Sequence, residues 1–127
     1  MSTPTLSFDH VHLQSSQPEA TIAFFETMFG AKVVWTHDFS ITRMTRLAVL
    51  DLHINLFWRA PKVAAPDPDD ATIHHFCLRT EEFDATIADL HSRGANFVGE
   101  PAEVGNMRVA FISGPDNLRI EILYGDA

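Results

Sequence analysis

Four positions in this sequence carry side chains that bind metal or move protons, and they recur at a nearly fixed interval. His10 and His75 lie 65 positions apart, and Asn55 and Glu121 lie 66 apart. Two imidazoles and one carboxylate on rigid strands form a ligand set that leaves coordination positions open. Such a set suits non-haem Fe(II), and also Mn(II) or a similar divalent ion. A single histidine or glutamate on a strand is more often hydrogen-bonded or solvent-facing than a ligand, so the case rests on the symmetric placement. Glu121 strengthens it. Inside the run Arg119-Ile120-Glu121-Ile122-Leu123-Tyr124, an inward carboxylate is costly unless it is paired or bound to metal.

The interval belongs to a repeat that runs through the chain. Glu19-Ala20-Thr21-Ile22-Ala23 returns as Asp84-Ala85-Thr86-Ile87-Ala88, also 65 positions on. Each copy then reaches a Gly-Ala pair, Gly30-Ala31 and Gly94-Ala95. Shared identity, matched histidines and matched helix stops define an internal duplication, the feature to establish before any other.

Each copy reads as strand, helix and three strands. Leu6 to Gln14 alternates as a strand, with Phe8, His10 and His12 on one face. Pro18 suits a first helical position, where its missing N–H has no partner to lose. The helix runs to about Phe29, with Ile22, Phe25 and Phe29 as its apolar stripe and Gly30 as its stop. Strands follow over Lys32 to Thr36, Arg43 to Leu50 and Leu52 to Trp58. In the last of these, His53, Asn55 and Phe57 share one face, and Leu52, Ile54, Leu56 and Trp58 share the other. The second copy has a strand over His74 to Leu78, a Thr80 cap and a helix with the stripe Phe83, Ile87 and Leu90. Strands starting at Asn96 to Val98, at Met107 to Ile112 and at Arg119 to Tyr124 complete it, the last two joined by a Gly114-Pro115-Asp116-Asn117 turn. The order is βαβββ twice: module one at about 6–58, a Pro- and Asp-rich linker at 59–72 and module two at about 73–124, in one domain spanning 1–127.

Other side chains fall on the same faces. His12 and His53 are the candidate catalytic acid/base or substrate-orienting groups, because imidazole titrates near neutrality. Cys77 shares the face of His75 and reads as a small core residue rather than a nucleophile. Arg119 is inward by parity and could meet an anionic substrate at the rim, although an arginine in such a place more often faces solvent. His74 points away from His75, while His91 on the second helix and His37 in a loop are read as exposed. The segments 36–43, 59–72 and 99–107 are expected to frame the mouth of a cavity.

Composition narrows the partners. A formal charge of −8 and the absence of any Lys/Arg cluster argue against nucleic acid and anionic membrane surfaces. One cysteine rules out an internal disulfide and fits a reducing compartment. No apolar run approaches the roughly 18 residues that span a bilayer, and Met1 to His10 lacks a signal-peptide layout. These features predict a cytoplasmic protein with a small-molecule substrate.

The motifs Asp9-His10-Val11, Phe24 to Ala31 (FFETMFGA), Ile73 to Leu78 (IHHFCL) and Gly114 to Ile122 (GPDNLRIEI) together resemble the vicinal oxygen chelate superfamily. That superfamily includes glyoxalase I, extradiol ring-cleaving dioxygenases, methylmalonyl-CoA epimerase and the fosfomycin-resistance thiol transferases. The resemblance covers nearly the whole chain. It implies an α+β fold in which tandem βαβββ modules form a curved, barrel-like mixed sheet around a divalent metal, with the helices outside. It also implies a homodimer. Carried over position by position, His10, His75 and Glu121 match the metal ligands. Asn55 stands where glyoxalase I has a fourth, carboxylate ligand, so three protein ligands are expected, as in the dioxygenases and thiol transferases. His12 stands where the thiol transferases have threonine, and their basic C-terminal stretch has no counterpart here.

The resulting expectation is a divalent-metal-dependent enzyme acting on a small oxygen-bearing metabolite. Fe2+ is favoured, with Mn2+, Ni2+ or Zn2+ as alternatives, and dioxygenase-like chemistry is placed first. The alternatives are a glyoxalase-type lyase or isomerase, and a non-catalytic antibiotic-binding resistance protein.

Overall fold

A computed structural model describes residues 7–39, 43–58 and 73–126. The chain divides into two compact units, Met1–Ala60 and Pro61–Ala127. The expected linker at 59–72, and Leu6 at the expected start of the first strand, lie outside the described residues. Among the described residues the strands pair into two separate mixed sheets, one per unit, and into no closed barrel.

The first unit runs β1 (Val11–Ser15), α1 (Pro18–Phe29), β2 (Lys32–Asp38), β3 (Arg43–Val49) and β4 (Leu52–Trp58). Its sheet has the order β1-β4-β3-β2. β1 runs parallel to β4, and the other pairs are antiparallel. Alternation along the strands decides which side is core. Thr45, Leu47 and Val49 of β3 and Ile54 and Leu56 of β4 are buried, and α1 packs against these two strands. Gly30 closes α1 in the left-handed conformation, at φ 67°, where a Cβ would be strained. The buried side of α1 is Thr21, Phe24 and Phe25. The expected stripe of Ile22, Phe25 and Phe29 is thus shifted around the helix, because buried Thr21 is drawn inward by its hydroxyl contact with Ser15. β2 continues to Asp38, so His37 lies in a strand rather than a loop and packs against Trp35, ring centroids 4.6 Å apart.

The second unit runs β5 (Phe76–Arg79), α2 (Phe83–Ser92), β6 (Asn96–Phe97), β7 (Ala102–Val104), β8 (Met107–Ser113) and β9 (Arg119–Tyr124). The sheet order is β5-β9-β8-β6, with β7 also paired to β8. Phe83, Leu90, Ile112, Ile120 and Ile122 form its core. β7 adds one strand to the expected order. Val104 pairs with Met107 across Gly105-Asn106, and Gly105 takes φ 60° there, so part of 99–107 is a tight hairpin. The turn before β9 places Asp116 and Asn117 at φ 56° and 59°, a region these short polar side chains tolerate.

The duplication extends to hydroxyl contacts. Ser15 Oγ meets Thr21 Oγ1 at 3.0 Å and accepts from the Gln17 N–H at 3.1 Å. In the second unit, Thr80 Oγ1 meets Thr86 Oγ1 at 2.7 Å and accepts from the Glu82 N–H at 3.0 Å. Thr80 is therefore not the N-cap of α2. Glu82 holds that position, and Thr80 closes the turn before it.

Candidate metal centre

In each unit a histidine stands one residue ahead of the first rung of a parallel pair. The β1–β4 ladder begins at Val11↔Ile54, immediately after His10. The β5–β9 ladder begins at Phe76↔Ile120, immediately after His75. Both rings therefore sit at the end of a fixed strand without being ladder residues.

In the first unit the face opposite α1 carries His12, Arg46 and Asn55 along one line, with His12 paired to Asn55 and Asn55 to Arg46. Asn55 is only 5% exposed. Its Oδ1 accepts from Arg46 Nε at 2.7 Å, and its Nδ2 lies 3.7 Å from Met44 Sδ. Arg46 Nη2 donates to Asp9 Oδ2 at 2.8 Å. The same carboxylate oxygen lies 2.7 Å from His10 Nδ1. The hydrogen bond to His10, and then the hydrogen bond and charge of Arg46, hold the Asp9 carboxyl below its ordinary pKa. Arg46 Nη2 also lies 3.3 Å from this Nδ1, but the shorter contact with the carboxylate favours the tautomer that leaves the Nε2 lone pair open, the arrangement that outer partners impose on metal-binding histidines. Arg46 also lies over Trp35, 5.5 Å from its ring centroid. Exposed His12 stands edge-on to Phe57 at 5.4 Å. His53 is exposed, beside Ala48 on β3.

In the second unit His75 Nε2 lies 3.1 Å from Glu121 Oε1, with side chains 31% and 17% exposed. Two donors about 2.1 Å from one ion at right angles stand about 3.0 Å apart, so this spacing, which is also that of a direct ion pair, is compatible with a shared divalent ion. The nitrogen and oxygen donors also fit Fe(II), Mn(II), Ni(II) or Zn(II). The Phe111 ring stands edge-on to His75 at 5.2 Å. His74 was expected to point away, yet its Nδ1 lies 2.8 Å from His75 Nδ1. Both residues precede β5, and strict alternation does not govern residues outside a ladder. Cys77 pairs with Glu121 across β5–β9. It is exposed rather than core, because β5 is an edge strand of its sheet. Partial burial, and then the hydrogen bond to Glu121, push its thiol up to about 11. A thiol held protonated at neutral pH is a poor nucleophile.

Within each unit, among the described residues, no three His, Cys, Asp or Glu side chains gather as a complete metal cluster. What the units do present is a His75–Glu121 pair in one and a His10 ring braced by Asp9 and Arg46 in the other. Arg46 escaped the sequence reading. Its signal was the two-residue Leu50-Asp51 turn, which pairs Val49 with Leu52 and, three rungs on, Arg46 with Asn55.

The family model for the Glyoxalase/Bleomycin resistance protein/Dioxygenase superfamily matches residues 7–122. The chain belongs to that superfamily. Glyoxalase I of Saccharomyces cerevisiae is 23% identical over 153 residues, which take in 94% of this chain. This superfamily member spans 45% of the length of that relative. Solved structures share the fold. A glyoxylase/bleomycin resistance protein/dioxygenase domain from Frankia sp. EAN1pec superposes with a TM-score of 0.80 at 16% identity, covering 97% of this chain and 100% of that one. A glyoxalase family protein from Enterococcus faecalis gives 0.79 at 20% identity, covering 92% and 96%. The fosfomycin resistance protein FosX of Listeria monocytogenes, complexed with Mn(II) and sulfate ion, gives 0.71 at 16% identity, covering 97% and 95%. Among the described residues no helix is long and apolar enough to cross a membrane.

Proposed function

We propose that this protein is a divalent-metal-dependent enzyme acting on a small oxygen-bearing metabolite. The observation that carries the reading is the 3.1 Å approach of His75 Nε2, just ahead of β5, to Glu121 Oε1 on β9, an ion-pair distance that also suits two ligands of one ion. His10 is the third ligand, on the strength of its place in the repeat and its bracing by Asp9. It comes from the same chain or from a second copy in a homodimer, with 1–127 acting as one cytoplasmic domain. A divalent ion held there acts as a Lewis acid on substrate oxygens.

The chain's own residues supply the rest. Asp9 and Arg46 hold the His10 ring. Phe111 shields one side of His75. His12 and His53 are the proton-transfer candidates, and the Cys77 thiol stays protonated. Three ligands with open positions suit dioxygen chemistry on Fe(II) first. FosX carries Mn(II), which keeps Mn(II) in the ligand-exchange series beside Ni(II) and Zn(II). The second reading is glyoxalase-type isomerisation, favoured by the glyoxalase I match. Position 55 weighs against it, because Asn55 offers no carboxylate to carry a substrate proton.

The test is metal stoichiometry. Tag-free protein reloaded anaerobically with each ion should hold close to one equivalent per chain. His10→Ala, His75→Ala and Glu121→Ala should lose it. Oxygen-uptake assays with catechol-like compounds and hemithioacetal isomerisation assays then separate the two readings. If His75→Ala holds metal as tightly as the parent protein, the assignment is wrong. Failure of every ion to bind supports a non-catalytic ligand-binding role.

A further inference from the structure

Six arginines lie among the described residues, and five of them face a carboxylate. Arg43 meets Asp38, Arg46 meets Asp9, Arg79 meets Asp126, Arg93 meets Asp89 and Arg108 meets Asp84. Arg119 does not. Its Nε is buried and has no hydrogen-bond partner among the described residues. The side chain stands on β9 two residues before Glu121, opposite Ser113 where Glu121 is opposite Phe111, so Arg119 and Glu121 share one face of the sheet.

The neighbouring carboxylate does not account for it. Glu121 is taken up by His75 and by the hydrogen bond from Cys77. A guanidinium is always charged and presents a planar fork of donors that matches an oxyanion through two parallel hydrogen bonds. Leaving the buried Nε–H of that fork without an acceptor is unfavourable, and native structures rarely retain such a group without a role. An oxyanion that reached Nε and an Nη together would satisfy the orphan donor.

We propose that Arg119 is an anion-recognition residue, taking a carboxylate or phosphate-like oxyanion of a small molecule beside the His75–Glu121 pair. The inference adds a substrate class to the function proposed above and rests on that reading only for its location. In an acidic chain of formal charge −8, one unneutralised guanidinium selects for an anion locally, where the overall field does not.

The test uses the full chain, metal-free and Mn(II)-loaded, at low ionic strength. Inorganic phosphate and acetate are titrated separately while the Arg119 Nε–H resonance is followed by NMR. The expected result is a saturable shift of that resonance with one or both anions. Arg119→Gln should weaken the binding at least tenfold, and Arg119→Lys should weaken it less. Mn(II) affinity and the melting curve of Arg119→Lys should stay at parental values. Preference for acetate names a carboxylate substrate, and preference for phosphate names a phosphate-like one. Equal anion binding by the parent and Arg119→Gln overturns the proposal, as does no binding by the parent in either form. Arg119-dependent anion binding in a protein that holds no metal keeps this inference and removes the metalloenzyme reading.

Discussion

Arg46 Nε donates to Asn55 Oδ1 at 2.7 Å across a single rung of the β3–β4 ladder. The bond engages one lone pair of the amide oxygen, the part of an asparagine that could serve a hard divalent ion. It agrees with the proposal of three protein ligands rather than four. Asn55→Ala is expected to leave Arg46 Nε short of an acceptor in a part-buried position. Such a loss costs about 1–3 kcal/mol, read as a lower urea midpoint with an unchanged slope. Metal stoichiometry should remain at the parental value. Loss of metal together with stability would place Asn55 in the ligand shell instead.

Asp9 ties this network to the candidate ligand, since its Oδ2 is reached by both His10 Nδ1 and Arg46 Nη2. Asp9→Asn keeps the shape and removes the charge that favours the Nδ1–H tautomer of His10. Outer partners of this kind are worth roughly 10- to 100-fold in metal affinity. That drop is expected for Asp9→Asn, with little change in melting temperature because Asp9 is exposed. Nitrogen chemical shifts of His10 in the metal-free protein give an independent check, by moving from one tautomer toward a mixture.

Much of this was legible in the sequence, and the reasons differ by residue. Period-two alternation sorted Ile54 and Leu56 from His53 and Asn55, because one face of β4 must bury hydrocarbon and the other need not. The repeat singled out His10, His75, Asn55 and Glu121 as candidates, because duplicated modules keep equivalent strand positions. Alternation failed at His74, which lies ahead of its ladder, and at Cys77, whose edge strand leaves it exposed. It could not reveal Arg46 either. An arginine at that parity announces a face but not its partners, and those depend on the register that the Leu50-Asp51 turn sets.

The Cys77 thiol carries a pH signature in the metal-free protein. Its pKa stands at about 11 against an ordinary 9.0, through partial burial and then the hydrogen bond to Glu121. Because the folded value is raised, the contribution to stability is fully present below about pH 9. It is lost as pH climbs through 11 and the unfolded chain gains by ionising first. Alkylation by iodoacetamide at pH 8 should run on the order of 100-fold slower than for an unperturbed thiol, since two pH units separate their thiolate fractions. Glu121→Gln should speed it by removing a neighbouring negative charge. An ordinary alkylation rate in the parent protein would contradict the placement of Cys77 against Glu121.

Leu50 occupies the first position of the turn that sets the Arg46–Asn55 register, at φ 56°, with Val49 paired to Leu52 around it. A side chain with a Cβ resists the left-handed region by roughly 1–2 kcal/mol, and a two-residue hairpin with positive φ at this position favours glycine. Leu50 is 65% exposed, so replacing it forfeits little burial. Leu50→Gly relieves the backbone strain and adds about 0.5–1 kcal/mol of unfolded-chain entropy against it. The net gain should be about 0.5–1 kcal/mol, read as a rise of a few degrees in melting temperature. The site should follow the same turn. Inserting one glycine between residues 50 and 51 uncouples the rungs of β3 from those of β4 and should break the Arg46–Asn55 bond. The expected result is an insertion variant that loses stability as Asn55→Ala does, whereas Leu50→Gly gains it. A Leu50→Gly protein less stable than the parent would show that the leucine makes contacts outweighing the strain of its backbone.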